Sequence, residues 1–191
     1  MPPNVLLLGI QGSGKGTQAK RIASEYDSPH VATGDILRKA IEDGTPLGKQ
    51  VEDILARGDL VPDATMIDLI RERLAESEGF VLDGFPRTMA QAEALDDMLA
   101  EINRPLDVVF VLQVPDEVAR ERLAKRGLAE GRADDTPAAI DTRIATYHRE
   151  TEPIVEHYRT RGSLVGIRGT GTVEEVFRQI QDALEQVAVR Q

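Results

Sequence analysis

A glycine-rich turn between an apolar run and an amphipathic stretch constrains this chain more than any other feature. Residues 4–10 read NVLLLGI and residues 9–18 read GIQGSGKGTQ. An apolar run without polar alternation predicts a strand covered on both faces. Gly9, Gly12 and Gly14 let backbone N–H groups turn inward on an anion, and the N-terminus of the following helix adds partial positive charge. Lys15 supplies a point charge for the β- and γ-phosphates of a nucleotide. The general form of such a loop ends G-K followed by Ser or Thr, whose hydroxyl ligates Mg²⁺. Here Gly16 stands between Lys15 and Thr17. An ordinary glycine turn is the plain alternative. The strand before it, the helix after it and the lysine in register favour a phosphate cradle.

The rest of the chain repeats the strand-then-helix pattern. A helix is predicted over 15–26, a strand over 79–84 with a helix over 88–99, and a strand over 107–114 with a helix entering at 115–117. A strand over 163–167 leads to a last helix whose Val173, Val176, Phe177, Ile180 and Leu184 fall on one face. Thr172 and Glu175 form a capping box at its start. Repeated strand–helix units predict an α/β fold on a parallel sheet covered on both faces, with ligands gathering at the carboxyl ends of the strands. Both the Gly9 loop and the turn after Asp83 should reach that edge.

Two segments break the alternation. Short helices are expected over 36–43 and 48–57, with no strand of core length between them. Residues 126–137, RGLAEGRADDTP, read as a polar connection ending in Thr136-Pro137, a good helix start. Pro153 should kink or split the helix that follows near Glu152.

Bulk properties bound the chemistry. A chain of 191 residues is long enough for one domain with a real core. A net charge of −10 argues against a broad nucleic-acid-binding surface, which needs clustered Lys and Arg. No apolar run approaches the roughly 20 residues that cross a bilayer. The first strand is too short, and lacks the basic flank, for a signal peptide. Cysteine is absent, which excludes thiolate metal sites and disulfides. The expected setting is therefore the cytoplasm. His30, His148 and His157 form no ligand spacing and are expected to be solvated or packed.

Arginines in tight contexts carry the second signal: TGDILR (33–38), DGFPR (83–87), RLAKRG (122–127), GRADD (131–135) and Arg143. Arg87 follows Gly84 and Pro86 at the end of a strand, where solvent decoration is a poor explanation. Phosphoryl transfer needs positioning and charge stabilisation more than covalent help. Planar guanidiniums bind phosphate oxygens in pairs and fix direction as well as charge. A phosphate acceptor is already anionic near pH 7 and needs no general base, and no convincing His or Glu base stands beside the loop.

Taken together, GSGKGTQ, TGDILR, GDLVPD, DGFPRT, QAEAL, GRADDT and GTGTVEEV resemble the short-lid adenylate kinases over essentially the whole chain. The resemblance implies reversible transfer of the terminal phosphoryl group of ATP to AMP, giving two ADP, in adenine nucleotide homeostasis and AMP salvage. It implies a monomer with Mg²⁺ as cofactor and ATP and AMP as substrates, without nucleic-acid or membrane partners. It implies an α/β fold, a P-loop three-layer α/β/α core with a parallel five-stranded sheet, in three parts: a core (1–31, 62–125 and 137–191), a small helical AMP-binding segment (32–61) and a short lid (126–136). ATP contacts would fall on Gly12, Ser13, Gly14, Lys15, Gly16, Thr17, Arg122, Arg126 and Gly171. AMP contacts would fall on Thr33, Arg38, Asp59, Leu60, Val61, Gly84, Phe85, Pro86, Arg87, Gln91, Arg132 and Arg143. The catalytic cations would be Lys15, Arg87, Arg126, Arg132 and Arg143.

The family's loop also reads G-K-G-T, so Gly16 is its normal form. Mg²⁺ should then be held by phosphates and waters, with Asp83 orienting those waters and Asp35 the second choice. The chain departs from the family in carrying Gln11 where Pro is frequent, in having no cysteines for a structural zinc, and in a lid lengthened by GLAE (127–130). Thr33 and Gln91 favour adenine over the bases of a UMP/CMP kinase, because an amide pairs with a purine edge through donor and acceptor together. A non-catalytic nucleotide sensor is the reading from another class; it would need no second phosphate clamp.

Overall fold

The computed structural model describes residues 2–75, 78–132 and 134–188. Strand β1 (Asn4–Leu8) runs into the glycine loop and helix α1 (Lys15–Tyr26). A short strand β2 (His30–Ala32) leads straight into α2 (Thr33–Glu42), then α3 (Pro46–Arg57) and α4 (Asp63–Ala75). Strand β3 (Phe80–Asp83) is followed by α5 (Met89–Glu101), and β4 (Val108–Gln113) by α6 (Asp116–Glu130). Helix α7 (Pro137–Thr146), a π-helical turn (Tyr147–Thr151) and α8 (Glu152–Thr160) precede β5 (Leu164–Arg168) and α9 (Val173–Ala188).

The five strands are all parallel, in the order β2-β3-β1-β4-β5. Leu6 is registered with Leu82 on one side and Val109 on the other. Successive residues of each strand face opposite layers, so the continuous apolar runs fill two cores. Leu6, Leu8, Leu82, Val109 and Val111 pack with α4, α5 and α8 through Ile70, Leu95 and Ile154. Val5, Leu7, Val81, Phe110 and Leu112 pack with α1 and α9 through Ile22, Phe177 and Ile180. Leu82 is fully buried, and truncating such a residue to alanine costs about 2–5 kcal/mol. A third cluster joins α6 and α7 to the loop through Ile10, Leu123, Ile140 and Ile144.

Local signals explain the element ends. The Thr45, Thr88 and Thr136 side chains each accept an N–H in the first turn of their helices, and Thr172 and Glu175 satisfy each other's N–H groups as a capping box predicts. Pro153 has no N–H to return to the preceding turn. The chain widens there, and the Glu152 N–H reaches Tyr147 O.

Five elements differ from the sequence expectation. Strand β2 and helix α4 lack a separate signal, and α2 and α3 begin two or more residues earlier than their apolar periodicity. The connection expected at 126–136 is helical as far as Glu130, and Gly131, at φ +62°, ends α6. Gly127 does not interrupt that helix; it lets Asp135 approach, since a Cβ there would lie 3.0 Å from Asp135 Cβ. Ala133, within the expected lid, lies outside the described residues. Among the described residues, no helix is long and apolar enough to cross a membrane.

Candidate active site

The chain leaves β1 toward β2 and β3, then crosses back to β4 and β5, so a crevice opens at the carboxyl ends of β1 and β3. Leu7 and Asp83 are in register there. This crevice is a cavity of about 380 Å³.

The glycine loop forms its floor. Gly14, at φ +100°, precedes α1 without any side-chain cap, and the space beside it is open. The first N–H groups of α1 therefore have no side-chain partner and suit an anion. Gly12 lets the loop press on α6: a Cβ there would lie 2.5 Å from Ala119 O. The Lys15 ammonium turns back to donate to Gly9 O (2.6 Å) and Ile10 O (2.8 Å). Burial lowers its pKa to about 8, with Arg87 and Arg126 adding repulsion and Asp83 opposing it. An arriving anion would relieve that destabilised charge.

The turn after β3 supplies the opposite wall. Phe85-Pro86 is a cis peptide, Phe85 sinks into the core, and the backbone brings Arg87 into the cavity. Arg87 Nε donates to Gly84 O (2.7 Å), and its backbone oxygen accepts from the Thr151 hydroxyl (2.8 Å). Burial, then the neighbouring Arg143 and Arg38, lower its pKa to about 10, while Asp83 acts the other way. Gly84 is at φ +87° and close to Thr33: a Cβ there would stand 2.6 Å from Thr33 Oγ1.

Asp83 sits between these walls. A Cβ at Gly16 would lie 3.3 Å from Asp83 Oδ2, and His30 Nε2 is 3.8 Å from the same oxygen. Burial acts to raise the Asp83 pKa, but the His30 ring and the Lys15 ammonium outweigh it and hold the carboxyl below its usual range. Asp35, the second choice for a metal, is paired with Arg38.

The remaining arginines converge from α2, α6, α7 and the α6–α7 connection. Arg38, Arg122, Arg126, Arg132 and Arg143 all line the cavity. Two adjacent carboxylates organise them. Asp135, whose side chain has no exposed surface, accepts from Arg126 Nε (2.7 Å) and Nη2 (2.9 Å) and also from Arg143. Asp134 accepts from Arg143 Nη2 (2.6 Å) and lies 3.9 Å from Arg38. Burial would raise the Asp134 pKa, yet the Arg143 hydrogen bond lowers it. Burial would lower the Arg126 pKa, yet the Asp135 hydrogen bond raises it. Arg132 pairs with Glu130 (2.6 Å), and Arg122 donates to Ser13 O (3.3 Å).

Most of the residues singled out from the sequence come together here. Gly12, Gly14, Lys15, Gly16, Thr17, Thr33, Asp59, Leu60, Val61, Gly84, Pro86 and Gln91 line the same cavity as the arginines. Ser13 and Phe85 are buried behind it. The Cβ side of Gly171 faces the Glu175 side chain rather than the cavity. Sequence reasoning missed Asp134 and Asp135, although both lie in the quoted GRADDT stretch. It also missed His30 beside Asp83, and Asp63, which accepts from the Gln91 amide at 2.8 Å.

Comparison with known proteins bears on this geometry. A profile of the family described as adenylate kinase matches residues 7–163. A protein of Xanthomonas euvesicatoria pv. vesicatoria is 44% identical over 183 residues, 94% of this chain and 98% of its own length. One from Xylella fastidiosa (strain 9a5c) is 45% identical with the same coverage. One from Cyanothece sp. is 47% identical over 96% of this chain and 95% of its own length. Each is named adenylate kinase.

Proposed function

Because the chain belongs to the adenylate kinase family, we propose that one cage of fixed cations holds ATP and AMP phosphate to phosphate. The protein is a phosphotransferase that moves the terminal phosphoryl group of ATP to AMP, reversibly, giving two ADP. The observation that carries the mechanism is that Lys15 and Arg87 line one cavity, each with a pKa lowered by burial.

In this reading the loop glycines, Ser13, Lys15, Gly16 and Thr17 take the ATP phosphates, with Arg122, Arg126 and Gly171 on the rest of that nucleotide. Thr33, Asp59, Leu60, Val61, Gln91 and the 84–87 turn hold AMP, and Arg38 and Arg87 grip its phosphate. Arg132 and Arg143 grip the transferring phosphoryl group and the AMP phosphate. The attacking oxygen belongs to a phosphate, so no side chain has to remove a proton. Charge develops on equatorial oxygens, and the guanidiniums that closure sets around them stabilise it.

Mg²⁺ is the proposed cofactor. Among the described residues no group of three or more His, Asp or Glu could hold a metal alone. A lone ionised Asp83 facing Gly16 fits an ion that arrives on the nucleotide and keeps its waters. When bound, the ion would neutralise phosphate charge, and Asp83 would orient its waters. The chain has no cysteine for the thiolate zinc sites of the larger lids.

Residues 32–61 act as the AMP segment and 126–136 as the lid, closing over both substrates to keep water from the phosphoryl group. Asp134 supports this, since it stands near Arg38 of α2 and bonds Arg143 of α7. The protein works as a cytoplasmic monomer on small molecules. Assaying the purified chain with ATP and each of AMP, CMP, UMP and GMP tests the assignment. Preference for AMP is expected, and preference for CMP would overturn it.

A further inference from the structure

Gln91 is 2% exposed and lines the cavity, but its amide is already engaged. Gln91 Oε1 accepts from the Arg87 backbone N–H at 2.8 Å, and Nε2 donates to Asp63 Oδ1 at 2.8 Å. The same carboxylate oxygen accepts from the Thr88 hydroxyl at 3.0 Å. Thr88 Oγ1 in turn accepts from the Gln91 N–H at 3.2 Å. A closed ring of polar contacts thus ties the start of α4 to the start of α5.

We propose that Asp63 is a positioning residue that fixes which way the Gln91 amide faces, and so makes the acceptor pocket select adenine over guanine. The proposal rests on the assignment of Gln91 to the AMP site. Asp63 is absent from the described lining of the cavity and acts through Gln91. A backbone N–H only donates and a carboxylate only accepts. Flipping the amide would set its NH₂ against the Arg87 N–H and its oxygen against Asp63, leaving buried groups unpaired. One amide N–H and one oxygen lone pair remain for a ligand, in fixed order. Adenine offers the N6 donor beside a ring-nitrogen acceptor, and guanine carries the O6 acceptor where adenine has its donor. The locked amide satisfies the first base and meets the second with acceptor facing acceptor.

The test compares steady-state kinetics of the full chain and Asp63→Asn with AMP and GMP as acceptors. A second variant, Asp63→Ala, removes the acceptor that holds the Gln91 NH₂, whereas in Asp63→Asn the amide oxygen can still accept from Gln91 Nε2. The expected result for Asp63→Ala is a KM for AMP raised about tenfold with kcat little changed, and a GMP:AMP ratio of kcat/KM raised about tenfold. Asp63→Asn should stay near wild type, and the KM for ATP should stay at the wild-type value in both. An unchanged KM for AMP in Asp63→Ala would overturn the proposal. So would a raised KM with an unchanged GMP:AMP ratio, which a loosened helix junction alone would produce. If Asp63→Ala does not fold, Asp63→Gly carries the same comparison. Gln91→Leu separates the two layers of the argument. If it leaves the KM for AMP untouched, the AMP-site assignment falls; if it raises that KM and Asp63→Ala does not, only the role of Asp63 falls.

Discussion

Gly16 faces the Asp83 carboxylate so closely that a Cβ on the glycine would lie 3.3 Å from Asp83 Oδ2. The position that holds a metal-ligating hydroxyl in the general phosphate loop is here a glycine, with a carboxylate from β3 lying beside it. The loop and the strand-end aspartate therefore form one device.

A side chain at position 16 should damage that device. Gly16→Val must displace Asp83, and turnover is expected to fall about 10- to 100-fold, the usual cost of disturbing a metal's outer partners. The Mg²⁺ concentration giving half-maximal rate should rise at the same time. Titrating rate against Mg²⁺ for wild type and variant checks both effects.

Lys15 gives the site a pH signature. Burial lowers the pKa of its ammonium to about 8, and in the proposed complex ATP would meet the charged form. Affinity should be highest below that value and weaken as pH rises through it, approaching tenfold per pH unit. Calorimetric titration with ATP across this range should show the decline in wild type and a weak, flat profile in Lys15→Met.

Arg87 should be irreplaceable by another cation. Lysine keeps the charge but loses the planar fork and the Nε–H bond to Gly84 O. Arg87→Ala is expected to lower AMP-dependent turnover about 100- to 1,000-fold, and Arg87→Lys to recover only a small part of that. The KM for ATP and the thermal midpoint should stay near wild type in both.

Asp135 should matter to folding before it matters to catalysis. Asp135→Asn removes a fully buried carboxylate from between Arg126 and Arg143. Arg126 then loses its carboxylate and Arg143 keeps only Asp134, and breaking a buried pair costs about 3 kcal/mol or more. Urea unfolding should show that loss in the substrate-free protein and a smaller one when phosphates occupy the arginines.

Much of this site was readable from residue order, for a physical reason. Loop glycines, a strand before them and a helix after them act locally, so the predicted span 15–26 of α1 coincides with the observed helix. The Pro153 break and the Thr172 cap are local in the same sense. What escaped depends on distant partners. Strand β2 offers only Val31 to the core, too little for a periodic signal, and it exists because β3 pairs with it. The polar stretch from 126 reads as a connection, yet α6 continues through it to Glu130, with Asp135 packed against Gly127. Asp134 and Asp135 look like surface acids until the fold sets guanidiniums on them.

The central claim is that one cavity brings the two nucleotides together through their phosphates. Two adenosines joined by a chain of five phosphates would mimic both substrates at once. Calorimetric titration of the purified protein should show one such molecule bound per chain, abolishing the binding of ATP and of AMP alike. Two molecules per chain, or displacement of only one nucleotide, would contradict it.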